Sequence, residues 1–176
     1  MFQPNDYVVY GRSGVCRVDG VECCDGRDFY SLHSLYQNCR IKAPVDGKLP
    51  IRPVISKDEA NALIDGIPSI QAKPVKCKNP RELNEKYRAA VLSQNCRDLI
   101  ELTMSIYAKK QEARQEKKKI NSIDEAFMKE GEALLFGELS VALGIPVDQV
   151  QPYIKQRVQN SGPVDSLSTT ISLHKL

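Results

Sequence analysis

Tyr7-Val8-Val9-Tyr10-Gly11-Arg12-Ser13-Gly14-Val15-Cys16-Arg17-Val18-Asp19-Gly20-Val21 is the stretch that decides the fold. Its first four residues are a β-rich run stopped by Gly11-Arg12-Ser13-Gly14. From Val15 to Val21 apolar and polar side chains then alternate, so one face can be buried while the other stays wet. A tight turn at Asp25-Gly26-Arg27 separates this run from Phe29-Tyr30-Ser31-Leu32. Cys39-Arg40-Ile41-Lys42-Ala43-Pro44 reads as a further strand, Val45 to Lys48 as a turn, and Leu49-Pro50-Ile51-Arg52-Pro53 as the last strand. Four or five short strands packed this closely predict a small, curled antiparallel barrel of the SH3 or Tudor kind.

A barrel of this size fills its interior with its own side chains and leaves no room for a substrate pocket. It offers outward its rims and its strand edges, whose free main-chain groups can pair with a strand of another protein. A docking module is therefore the first expectation. A barrel that merely caps the rest of the chain is the plainer alternative.

Beyond the barrel the pattern turns helical, which makes the fold class α+β. Ser56-Lys57-Asp58-Glu59 has the form of a capping box, so a short helix should start there, carry Ala60, Leu63 and Ile64 on one side, and stop at Gly66. Pro68, Pro74 and the mixed residues up to Lys78 read as a linker. Asn79-Pro80-Arg81-Glu82 opens the next helix, with Leu83, Tyr87, Ala90 and Val91 on one face. Asn95 can cap a third, whose Leu99, Leu102 and Ile106 face inward. Its basic end, Lys109 to Lys119, either compensates the helix dipole or meets a polyanion. Ser122-Ile123-Asp124-Glu125 repeats the capping-box form and opens a helix ending at Gly144. Gly131 and Gly137 inside it each cost about 1 kcal/mol relative to alanine, which predicts that another helix crosses there. Pro146 to Gln159 forms a last helix, and the Ser-, Thr- and Gly-rich remainder reads as a mobile tail. The expected units are 1–66, barrel plus trailing helix; 67–78, linker; 79–160, helical domain; and 161–176, tail.

Hydrophobic content of 41% and charge of 27% are ordinary for a soluble globular protein. No apolar run is long enough to cross a bilayer, and the first residues have neither a basic leader nor an apolar core, so a cytoplasmic protein is expected. The six cysteines contain no Cys-x-x-Cys pair, and neither histidine completes a ligand set with them. Cys16 and Cys39 read as small core residues, while the adjacent Cys23-Cys24 near a hairpin tip is a candidate for redox sensitivity. Residues 79–121 carry ten basic against six acidic side chains, whereas 122–176 carry four against seven. Positive charge is thus concentrated in the middle helices, where a polyanion would feel it.

Enzyme signatures are missing. Gly11-Arg12-Ser13-Gly14 joins two strands instead of opening a helix, no Gly-x-Ser-x-Gly elbow occurs, and His33 reads as a strand-surface residue. No catalytic residue, metal or cofactor is expected.

Phe2-Gln3-Pro4-Asn5-Asp6-Tyr7-Val8-Val9-Tyr10-Gly11, Gly14-Val15, Ala43-Pro44-Val45-Asp46 and Ile51-Arg52-Pro53-Val54-Ile55-Ser56-Lys57 together resemble the CarD family of bacterial transcription regulators, also called CdnL. The barrel alone also resembles the RNA-polymerase-interacting domain of transcription-repair coupling factors. Tyr87-Arg88 and Leu135-Phe136-Gly137-Glu138-Leu139 favour CarD, and the resemblance extends over about residues 2 to 145. It implies a Tudor-like barrel that binds the β subunit of RNA polymerase through a strand edge. It also implies a helical domain that touches promoter DNA at the upstream edge of the transcription bubble and modulates open-complex stability.

The family's polymerase-binding arginine, set before a short apolar residue and proline, corresponds to Lys42 before Ala43-Pro44. Lysine keeps the charge and loses the planar fork. Arg40 points to the same strand face and could share the role, with Ile41 between them, and Arg27 at the hairpin is a further candidate. Family members carry a tryptophan near the start of the first long helix. This chain has none: Leu83 takes that place, and Glu85 stands where a basic residue is usual. Leu83 either wedges between base steps or faces the helical core, and Lys86 and Arg88 remain to hold phosphates. A monomer with weak, non-specific, salt-sensitive DNA binding is expected, at the nucleoid through polymerase and away from membranes. The alternative is an adaptor that uses the same edge on another protein without touching DNA.

Overall fold

The computed structural model describes residues 1–161. The strands expected between Tyr7 and Pro53 form β1 (Tyr7–Tyr10), β2 (Val15–Cys24), β3 (Arg27–Ser34), β4 (Arg40–Pro44) and β5 (Ile51–Pro53). They make one antiparallel sheet in the order β4-β3-β2-β1-β5. The hairpin between β2 and β3 turns on Asp25 and Gly26, whose φ values of 50° and 74° suit a tight two-residue connection. A register shift between Val18 and Gly20 bends β2 and lets it run on to Cys24. Its inner face packs Val8, Cys16, Val18, Tyr30, Leu32 and Ala43 into a small core that Phe2 covers from the N-terminal side.

β4 and β5 lie at opposite margins and do not pair with each other, so the expected closed barrel is corrected to an open sheet. The physical reason lies at β5, a three-residue strand set between Pro50 and Pro53, two residues without an amide to donate. Cys39 also departs from expectation: it lies just before β4 and is partly exposed, outside the core.

The helices are α1 (Lys57–Gly66), α2 (Pro80–Leu92), α3 (Cys96–Gln115), α4 (Ser122–Leu143) and α5 (Val147–Ser161). The capping box at Ser56 forms in full, and the Asn79 and Asn95 side chains accept from Glu82 N and Arg97 N. α4 is capped by Asn121 and not by Ser122, because it is the Asn121 side chain that accepts from Asp124 N at 2.8 Å.

The structure redraws two of the expected units. Ala60 and Ile64 of α1 are buried in the helical core, Tyr153 Oη donates to Asn61 Oδ1 at 2.7 Å, and Arg157 pairs with Asp65 at 2.6 Å. α1 therefore belongs to the helical half. Residues 67–78, expected as a linker, form a strap across it. Ile70, Val75 and Cys77 pack on the helical core, Val75 N donates to Ser105 Oγ, and Ser105 Oγ donates to Lys73 O at 2.8 Å. Beyond a single 3-10 turn at Ile67–Ser69 the stretch stays irregular, yet its apolar residues still find partners. The expected tail lies outside the described residues apart from Ser161, which ends α5.

The two glycines of α4 have different partners. A Cβ on Gly131 would come within 3.1 Å of Thr103 in α3, which is the expected helix crossing. One on Gly137 would come within 2.0 Å of the Tyr36 ring, so that glycine admits a side chain from the sheet half instead of a helix. Arg12 joins the same contact by pairing with Glu130 of α4 through Nε–Oε1 at 2.5 Å and Nη2–Oε2 at 2.7 Å.

Candidate docking edge and nucleic-acid face

β4 is a margin of the sheet with β3 on one side only. Residues opposite each other on paired strands point to the same face, so the register Ser31↔Lys42 and His33↔Arg40 sets Lys42 and Arg40 on the outer, uncovered side. Both are exposed. Arg27, exposed at the start of β3 and opposite Cys24, lies on that same face by alternation. Ile41 does not. Its side chain turns the other way and packs, partly buried, against the sheet core beside Ala43, so it supports the strand from the opposite face.

Lys42 has company that the sequence reading did not name. Its Nζ lies 2.7 Å from Glu22 Oε2 and 4.0 Å from Cys24 Sγ, across two strands. The hydrogen bond to Glu22, followed by the charges of Cys24 and Glu22, holds the ammonium above its ordinary pKa. The side chain remains 60% exposed, so an outside carboxylate can compete for it. The β2–β3 pairing carries the signal that could have found Glu22: once the hairpin turn at Asp25-Gly26 is fixed, Glu22 faces Phe29, two positions from Ser31, the residue opposite Lys42.

The helical candidates separate. Leu83 is 4% exposed and sits in the helical core with Tyr87 and Val91, so of its two readings the core one holds and the wedge is withdrawn. Lys86 is exposed and pairs with Glu82 at 2.9 Å. Arg88 is exposed, and no hydrogen bond or ion pair to its side chain occurs among the described residues. Two positions on a helix differ by about 200° of rotation, so Lys86 and Arg88 flank the buried stripe on opposite sides and cannot share one surface.

Lys109 also leaves the basic group in which the sequence placed it. Its Nζ turns inward to Asp124, 2.8 Å away and fully buried, and Tyr87 Oη donates to the same carboxylate at 2.8 Å. The rest of the basic end, Lys110, Arg114 and Lys117 to Lys119, stays exposed beyond it. Among the described residues no group of three His, Cys, Asp or Glu could hold a metal ion, and no single helix is long and apolar enough to cross a membrane.

Residues 2–55 match the model of the CarD-like/TRCF RID domain, which belongs to RNA-polymerase-interacting, transcription-related proteins. The matched span runs from just before β1 to just before the Ser56 cap of α1, so the match covers the open sheet. A search of curated proteins finds no match.

Proposed function

Starting from a CarD-like/TRCF RID domain at the N-terminus, we propose that this chain is a non-enzymatic regulator of transcription initiation in the bacterial cytoplasm. It docks on the β subunit of RNA polymerase through β4. It then faces promoter DNA near the upstream edge of the transcription bubble with its helical half and alters the stability of the open complex. The single observation that carries this reading is the margin of the sheet at β4, unpaired on its outer side and flanked by exposed Lys42 and Arg40. Free main-chain groups give a partner strand its hydrogen bonds, and the two cations select an acidic one.

On the DNA side, Arg88 and the basic end of α3 neutralise phosphates without reading bases. Binding to DNA alone is then weak and falls steeply with salt. The adaptor reading draws support from the burial of Leu83, which removes the apolar wedge expected in α2, while the exposed cations favour a DNA contact. Binding of the full chain to purified polymerase core, with Lys42→Glu as the variant, tests the docking reading. The affinity should drop at least about tenfold with the fold unchanged. No binding by the wild-type chain overturns it.

A further inference from the structure

Between α3, α4 and the strap of residues 67–74 lies a cleft of about 450 Å³ that neither β4 nor the cations of α2 use. This is the size of a small-molecule site. Its apolar end is built from Ile70, Ile100, Met104, Leu135, Phe136 and Ile154. Its other end is polar and acidic, with Gln111, Glu112, Gln115 and Glu132. Glu132 lies three and four residues before Leu135 and Phe136, so the helical repeat places all three on the same wall.

Glu132 differs from the other buried carboxylates of the helical half. Glu138 has Arg52 and Asp124 has Lys109, each in direct contact. Glu132 is half-buried, and among the described residues no hydrogen bond or ion pair reaches its side chain. Burial pushes its carboxyl pKa up, and Lys110 opposes this only through its charge at a distance. Glu112, half exposed, is paired with Lys76 at 3.6 Å. A desolvated carboxylate at the end of an apolar slot is costly while nothing cationic meets it.

We propose that this cleft binds a small cationic amphiphile, with a primary ammonium or similar head on Glu132 and an apolar body along Ile100, Met104, Leu135 and Phe136. An anionic amphiphile of the same length meets two carboxylates, and a neutral one leaves Glu132 unpaired, so both bind more weakly. The wall formed by residues 67–74 leads into α2, so a ligand in the cleft braces the segment that positions Arg88. This site is independent of polymerase docking.

The test is calorimetric titration of the full chain at neutral pH with decylamine, decanol and decanoate, together with methyl NMR of the methionines. Decylamine should bind most tightly and should shift the Met104 methyl signal while leaving Met1 unmoved. Glu132→Gln should weaken decylamine about tenfold and leave decanol unchanged. The proposal is overturned if decanoate binds as well as decylamine, if Glu132→Gln leaves decylamine binding intact, if Met104 does not respond, or if none of the three binds.

Discussion

Arg52 of β5 meets Glu138 of α4 through two parallel hydrogen bonds, Nη1–Oε1 at 2.5 Å and Nη2–Oε2 at 2.7 Å, at the joint between the sheet and the helices. Arg52 also donates to Gln94 O, while Glu138 accepts from Ile55 N and from Cys96 Sγ at 3.1 Å. Glu138 is 1% exposed. Burial works against the guanidinium charge, and the hydrogen bonds and charge of Glu138 outweigh it, so the pKa of Arg52 is raised. This pair ties β5 to α4.

Arg52→Met strands a carboxylate in the joint and should cost about 3–5 kcal/mol in urea unfolding. Arg52→Lys should recover only part of this, since it lacks the fork that spans both oxygens. A loss under about 1 kcal/mol for Arg52→Met would mean that the joint does not depend on the pair.

Gly137→Ala is a test with an informative sign. Within a helix that change ordinarily gains about 1 kcal/mol. Here the added methyl meets the Tyr36 ring, which moves as one rigid plate, so the substitution should destabilise by about 1–3 kcal/mol. In a Tyr36→Ala background the same change should become neutral or stabilising. Thermal melts of the four proteins in the cycle measure both.

Alkali should lower the stability of the fold. Burial pushes the Cys16 thiol up to about 11 and raises Cys96 further, with the charge of Glu138 adding to the latter. A folded-state pKa above the unfolded one means that the protonated thiol contributes stability fully below the ordinary value of 9.0, and that this contribution is lost as pH rises toward 11. Denaturation midpoints should therefore fall between those pH values. Cys16→Ala should flatten that fall while lowering stability at neutral pH.

Leu83→Trp should not create a DNA wedge. Position 83 faces the helical core, so the larger ring overpacks it, with a cost of about 1–3 kcal/mol in thermal unfolding and no gain in duplex affinity. Arg88→Glu, by contrast, should weaken binding to duplexes of any sequence and reduce the salt dependence measured by fluorescence anisotropy.

Much of the sheet was legible because alternation and an Asp-Gly turn are local signals, whereas Lys42 was singled out only through the family resemblance. What lay out of reach depended on contacts distant in sequence. Pro50 and Pro53 were visible, yet an open sheet also requires knowing that β5 has only β1 to pair with. Leu83 shares an expected face with Tyr87 and Val91, yet that face fits a wedge or a core position equally well until Phe127 of α4 is found packed with it. α1 reads as a trailing helix of the sheet half by order along the chain, and what holds it elsewhere, the burial of Ala60 and Ile64 and the bonds from Tyr153 and Arg157 more than ninety positions away, is distant in sequence. Gly137 announced a close approach, and nothing local identified Tyr36 as what approaches.

Hydrogen exchange along Arg40–Pro44, in the free chain and in complex with the polymerase β subunit, tests the central claim most directly. Edge amides without a partner strand should exchange quickly in the free protein and slow at least about tenfold on binding, with Lys42→Glu abolishing the change. Slowing confined to other parts of the chain, with β4 exchanging at its free rate in the complex, would contradict the account.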